Sequence, residues 1–334
     1  MDPVLPHLLA GVLVLSVVLY VVLDGFDLGV GILFPFAPGE EARDAMIASV
    51  APVWDGNETW LVLGGTVLFA GFPAAFAVLI PAFYLPVVIM LVALIFRGVT
   101  FEFRPHADPG GRFWNRAFQA GSAVAAFAQG VVLGGYVQGV EVRGGAYAGG
   151  PFDWLTPFSL LCGAALVAGY ALLGATWLAM KLEGGLADWA RRAARVPLAC
   201  VLAAIAAVSL WTPLMNEAIA ARWFSWPNIA LLSPVPVATA LVALSLLRAL
   251  RRGARRAPFA LAVALFLLSF LGLGISLYPN IVPPVITVVE AAAHPSSLRV
   301  LAVGVAVVLP VVLGYTAYSY RVFRGKADPG SGYG

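Results

Sequence analysis

Nine apolar stretches, each long enough to cross a bilayer as a helix, run through this chain at about 8–36, 45–71, 74–103, 112–138, 156–182, 190–216, 228–250, 257–278 and 297–322. A span needs roughly 20 apolar residues at 1.5 Å per residue. Few alternatives are open to such a pattern, because backbone in lipid must satisfy its own hydrogen bonds. Charged residues make up 11% of the chain, against roughly 25% in soluble domains. The expected fold is therefore an all-α integral membrane protein with about nine transmembrane helices. Residues 1–324 are expected to form one transmembrane domain, followed by a short flexible cytoplasmic tail, 325–334.

The basic residues support the count. Arg43, then Arg104, Arg112 and Arg116, then Lys181, Arg191, Arg192 and Arg195, then Arg248, Arg251, Arg252, Arg255 and Arg256, and finally Arg321, Arg324 and Lys326 all follow odd-numbered spans. The loops after even-numbered spans hold only Arg143, Arg222 and Arg299. Lys and Arg collect on the cytoplasmic side, so the N-terminus is expected outside (periplasmic) and the C-terminus in the cytoplasm. The division at residues 71–73 is the weakest. Without it there would be eight spans, and the alternation would fail. The start, MDPVLPHLL, lacks Lys and Arg and makes a poor signal peptide, so the first helix is expected to be retained.

A net charge of +3 gives no case for nucleic acid. Cys162 and Cys200 lie in separate apolar runs and read as small hydrophobes. No metal-ligand spacing, phosphate loop, dinucleotide fingerprint or Ser/His/Asp set occurs. His7, His106 and His294 fall at span edges or in loops, so no haem pair can be built from span interiors. Trp60, Trp114, Trp154, Trp177, Trp189, Trp211, Trp223 and Trp226 mostly fall near span ends and read as interfacial anchors.

Against this background the intramembrane acids stand out. Asp24 and Asp27 lie in the first span, Asp55 and Glu58 in the second, and Glu102 at the end of the third, where Arg97 is the nearest counter-charge. Asp27 and Asp55 both come out roughly 15 Å from the cytoplasmic ends of adjacent antiparallel helices, and Arg97 roughly 9 Å. Asp24 with Asp27, and Asp55 with Glu58, are three apart and share a helix face. Gly25 and Gly29 allow another backbone to come close, and Pro52 with Gly56 marks a helix break. Static acceptors tying the first three spans together are one reading. The other is that the acids carry charge across the membrane, as a proton relay or in a proton- or cation-coupled transporter.

Three motifs, LDGFDLGVGILF (23–34), APVWDGNETWLVLGG (51–65) and FRGVTFEFR (96–104), resemble those of subunit II of cytochrome bd-type quinol oxidases. The length is similar to that of the shorter members, among them the cyanide-insensitive type. Beyond about residue 180 the likeness rests on the helix plan. The resemblance implies a bacterial cytoplasmic (inner) membrane complex that oxidises quinol near the outer face. It reduces dioxygen to water with cytoplasmic protons, generating proton-motive force. Haem b and haem d would be carried mainly by the partner, subunit I, leaving no catalytic residue or metal ligand in this chain. Subunit II would stabilise that partner within a heterodimer and offer a proton pathway in which the WDGN aspartate, here Asp55, takes part. Asp24, Asp27 and Glu58 would be its neighbours in proton transfer, with Arg97 and Glu102 tuning charge. Family members vary between Glu and Gln at the Glu58 position. Some members hold a structural quinone in this subunit. The sequence fixes neither that, nor the quinone type, nor cyanide sensitivity, nor a small third subunit.

Overall fold

Proline marks where two of the apolar runs break. The computed structural model describes residues 4–106 and 111–327. The first run forms one helix, α1 (Val4–Leu33). The second is two helices, α2 (Glu40–Val50) and α3 (Trp54–Gly71), separated by turns at 51–53 around Pro52. The third is also divided, into α4 (Pro73–Ala82) and α5 (Tyr84–Phe103). Pro86 has no N–H to offer the Ala82 carbonyl, and the helix restarts beside it. Then come α6 (Arg112–Gln138), α7 (Pro157–Lys181), α8 (Gly184–Ala193) and α9 (Arg195–Met215). Two short helices, α10 (Glu217–Phe224) and α11 (Asn228–Leu232), lead to α12 (Pro234–Arg251), α13 (Ala257–Leu277) and α14 (Pro295–Val322). Two antiparallel hairpins interrupt the helical plan: β1 (Val142–Arg143) with β2 (Ala146–Tyr147), and β3 (Asn280–Val282) with β4 (Ile286–Thr287).

Eight helical stretches among the described residues are long and apolar enough to cross a membrane. The expected second span is missing from them. α3 has 18 residues but opens on Asp55, Asn57 and Glu58, which lower its hydropathy. α4 packs on β2 and β3 rather than extending α5. Of the expected tail, residues 328–334 lie outside the described residues. Gly325, Lys326 and Ala327 are tied down: Lys181 Nζ donates to the Gly325 carbonyl at 3.0 Å, Lys326 Nζ to Met180 O at 2.9 Å, and Ala327 N to Lys181 O at 3.1 Å.

The core is built on α1, which packs against α3, α6 and α7. A Cβ placed on Gly29 would overlap the Tyr170 carbonyl oxygen, and one on Gly174 would overlap the Gly29 backbone. α1 and α7 therefore cross backbone to backbone, as small residues permit in lipid. Just beyond the crossing, Phe26 stacks on Trp177 at 4.1 Å. Trp60 and Trp177 are 0% and 3% exposed. They are core residues, not the interfacial anchors their positions in sequence suggested.

Candidate functional site

Four helices converge on Arg97. This residue sits on α5 with no exposed surface, as do Asp24 and Asp27 on α1. Arg97 Nη2 lies 2.9 Å from Asp24 Oδ1 and 3.6 Å from Asp27 Oδ2, and Arg97 Nη1 lies 4.0 Å from Glu58 Oε1 on α3. The guanidinium lies near two aromatic rings, 5.3 Å from the Trp54 centroid and 5.4 Å from that of Phe101. Those rings stack on each other at 4.8 Å. A planar, weakly hydrated cation suits such a slot better than an ammonium would.

Asn57 completes the cluster. Its Nδ2 donates to Asp27 Oδ2 at 2.7 Å and to the Leu23 carbonyl at 3.3 Å, and its Oδ1 accepts from Tyr320 Oη of α14 at 2.9 Å. Asp24 Oδ2, Asp27 Oδ1, Arg97 Nε and Arg97 Nη1 are buried without a close partner. Three carboxyls thus surround one guanidinium, with acceptor positions left over. Buried charge survives when paired. Here the pairing is incomplete, which leaves room for a proton within the cluster.

The predicted residues are not all brought together. Asp24, Asp27, Glu58 and Arg97 meet. Asp55 is exposed in the first turn of α3, where an anion suits the helix N-terminus. Depth correctly put α1 and α3 at one level, but two residues along a helix is roughly 200° of rotation. Asn57, not Asp55, therefore meets Asp27. Glu102 is exposed at the end of α5, and its carbonyl faces His106 Nδ1 at 3.0 Å. Both stand apart from the cluster.

The three histidines lie at helix ends, away from the cluster. His7 meets Tyr278 Oη at 3.3 Å, His106 lies at the end of α5, and the His294 side chain caps α14. None of the three faces the ion cluster.

A sequence model of the family described as cytochrome bd terminal oxidase subunit II matches residues 5–323. The chain belongs to this family. It is subunit II of a cytochrome bd-type oxidase, a component of an oxidoreductase complex, and this sets aside the coupled-transporter reading. It is 31% identical to the cytochrome bd-I ubiquinol oxidase subunit 2 of Escherichia coli strain K12, over 96% of this chain and 93% of that protein. It is 28% identical to the cytochrome bd ubiquinol oxidase subunit 2 of Bacillus subtilis, over 92% of each. The bd oxidase structure from Geobacillus thermodenitrificans contains a chain of the same fold, with TM-score 0.72 at 19% identity, covering 96% of this chain and 98% of that one.

In subunit II, sequence reasoning passed over Asn57 and Tyr320 of the site, and over Tyr20, Gln129 and Tyr170, whose side chains are joined by hydrogen bonds one helical turn from Asp24. Asn57 was legible, sitting inside WDGN between the two acids. Gln129 is an isolated amide in an apolar helix and was a fair signal too. The tyrosines carried none, since Tyr also anchors helices at interfaces.

Proposed function

We propose that subunit II serves a quinol:dioxygen oxidoreductase of a bacterial inner membrane by supporting a haem-bearing subunit I and passing cytoplasmic protons toward it. The carrying observation is the fully buried Asp24–Arg97–Asp27 cluster, with Glu58 at its edge. Ubiquinol as reductant is supported by the names of the relatives, and haems b and d on the partner by the placement of this chain's histidines at helix ends. Residues 1–324 form one membrane domain in this reading.

The proton path runs from Asp55 through Glu58 to Asp27. Asp55 is exposed, Glu58 has a side chain 26% exposed, and Asp27 is sealed. An acid at membrane depth does not face lipid. Subunit I therefore docks on the α3 face that carries Asp55, Thr59 and Thr66, and Glu102 borders the entry without joining the path. Asp55→Asn keeps shape and hydrogen-bonding capacity but cannot ionise. The expected result is an assembled complex with normal haem spectra and slow oxygen uptake per haem d at saturating quinol, partly restored by Asp55→Glu. Wild-type turnover in an assembled Asp55→Asn complex would rule out this path as essential.

Counting α3 as a crossing gives nine spans, with the N-terminus periplasmic and the C-terminus cytoplasmic. Two sets of loop contacts support this. Ala293 N bonds Gly71 O at 2.9 Å and His7 meets Tyr278 at one set of helix ends, whereas Lys181 holds Gly325 at the other. Reporter fusions placed after Arg256 are expected to read as cytoplasmic. A periplasmic signal there would refute the count.

A further inference from the structure

A line of donors on three helices leads to Asp24. Tyr170 Oη on α7 donates to Gln129 Oε1 at 2.6 Å. Gln129 Nε2 on α6 donates to Tyr20 Oη on α1, also at 2.6 Å. Both tyrosines are buried, and Gln129 is half-buried. Because Tyr20 Oη accepts from the amide, its own proton is directed elsewhere. Asp24 lies four residues on and on the same side of α1, with its Oδ2 buried and without a hydrogen-bond partner.

Both hydrogen bonds donate toward Tyr20, one helical turn from Asp24 on α1. An amide in mid-chain does not conduct: the Gln129 carbonyl has no proton to give, and its NH2 keeps its own. The line therefore orients charge and does not carry it. At its end, an ionised Asp24 is an acceptor-only group, paired through Oδ1 with Arg97 at 2.9 Å, while its buried Oδ2 remains open to a donor such as Tyr20 one helical turn away. Asp27 has a different environment. Its closest donor is the neutral amide of Asn57, with Arg97 farther off at 3.6 Å.

We propose that Tyr20, Gln129 and Tyr170 are positioning residues that hold Asp24 as the fixed anion of Arg97, so that the exchangeable proton of the cluster resides on Asp27 and Glu58. This deepens, and rests on, the proton-path reading above. The titratable or charged groups around Asp24 are Arg97 of α5, Tyr20 and Asp27 of α1, Glu58 of α3, Tyr170 of α7 and Tyr320 of α14. Of these, only Asp27 and Glu58 are carboxyls, the groups that can trade a proton with it as like acids.

Infrared difference spectroscopy of the intact, purified complex across a pH titration tests the assignment. In the unmodified complex, the deuterium-sensitive carboxylic acid stretch from this cluster should vanish in the Asp27→Asn, Glu58→Gln double variant and persist in Asp24→Asn. Tyr20→Phe should assemble with normal haem spectra and add a carboxylic acid signal as large as that of a single residue. That signal should be absent from Tyr20→Phe, Asp24→Asn. Gln129→Leu keeps the Tyr20 ring and carries the same expectation should Tyr20→Phe fail to assemble. Tyr170→Phe, one link farther out, should give a smaller signal. Loss of the original signal in Asp24→Asn, or no new signal in Tyr20→Phe and Gln129→Leu, would overturn the proposal. Wild-type oxygen uptake in the assembled Asp27→Asn, Glu58→Gln variant would instead overturn the proton path and leave the infrared assignment of Asp24 standing.

Discussion

Arg97→Met is expected to abolish assembly of the complex. The substitution leaves Asp24 and Asp27, both fully buried, without the one cation that pairs with them among the described residues. Breaking a buried ion pair from one side costs about 3–5 kcal/mol, a large fraction of the roughly 5–15 kcal/mol that holds a typical fold. Haem d per milligram of membrane should fall close to zero. Arg97→Lys should recover only some of it. An ammonium is a single point charge. It cannot offer separate donors to Asp24 and Asp27 while a delocalised plane stays within 5.3–5.4 Å of the Trp54 and Phe101 rings. The triple variant Arg97→Met, Asp24→Asn, Asp27→Asn should assemble better than Arg97→Met alone, because no unpaired charge remains buried. Its oxygen uptake per haem d should stay low. Wild-type haem content in Arg97→Met would show that the cluster is not an ion pair.

The second large effect lies at the crossing of α1 and α7. Gly29→Leu has no space: its Cβ alone would overlap the Tyr170 carbonyl. Inserting one methylene into a packed core costs about 1–3 kcal/mol. Here a whole side chain would have to push the two helix backbones apart, and α1 carries both buried aspartates. Gly25 offers an internal comparison. Its Cβ would come within 2.7 Å of a Tyr170 ring carbon, and a ring can swing aside where a backbone cannot. Gly29→Ala should therefore lower haem d content and the thermal midpoint of the complex more than Gly25→Ala does. Gly29→Leu should yield no complex. Equal effects at the two positions would show that the helices can slide apart, contrary to a backbone-to-backbone crossing.

The residues differ in how much could be read in advance. Asp24, Asp27, Glu58 and Arg97 were legible because ionisable groups in apolar runs are costly and must find one another. The close approach at Gly25 and Gly29 was legible for a similar reason: in lipid, small residues mark where backbones meet. The division of the second and third runs was half legible. Pro52 announced the first break, but Pro86 lay in what looked like one uninterrupted stretch. Helix rotation was not legible. Asp55 and Asn57 are two residues apart in one motif, yet one is exposed and the other is 1% exposed, bonded to Asp27.

The sequence alone determined the helical membrane class, the approximate positions of eight apolar helices and the family motifs. Each depends on local composition and on a fixed rise per residue, which need no knowledge of neighbours. The tertiary structure decided which face of each helix turns inward. It thereby chose Asn57 over Asp55, recruited Tyr320 from 263 residues away, and joined Tyr20, Gln129 and Tyr170 from three helices. Those choices follow from packing between helices that are distant in sequence. A buried tyrosine and an interfacial one look the same until the neighbouring helix is in place.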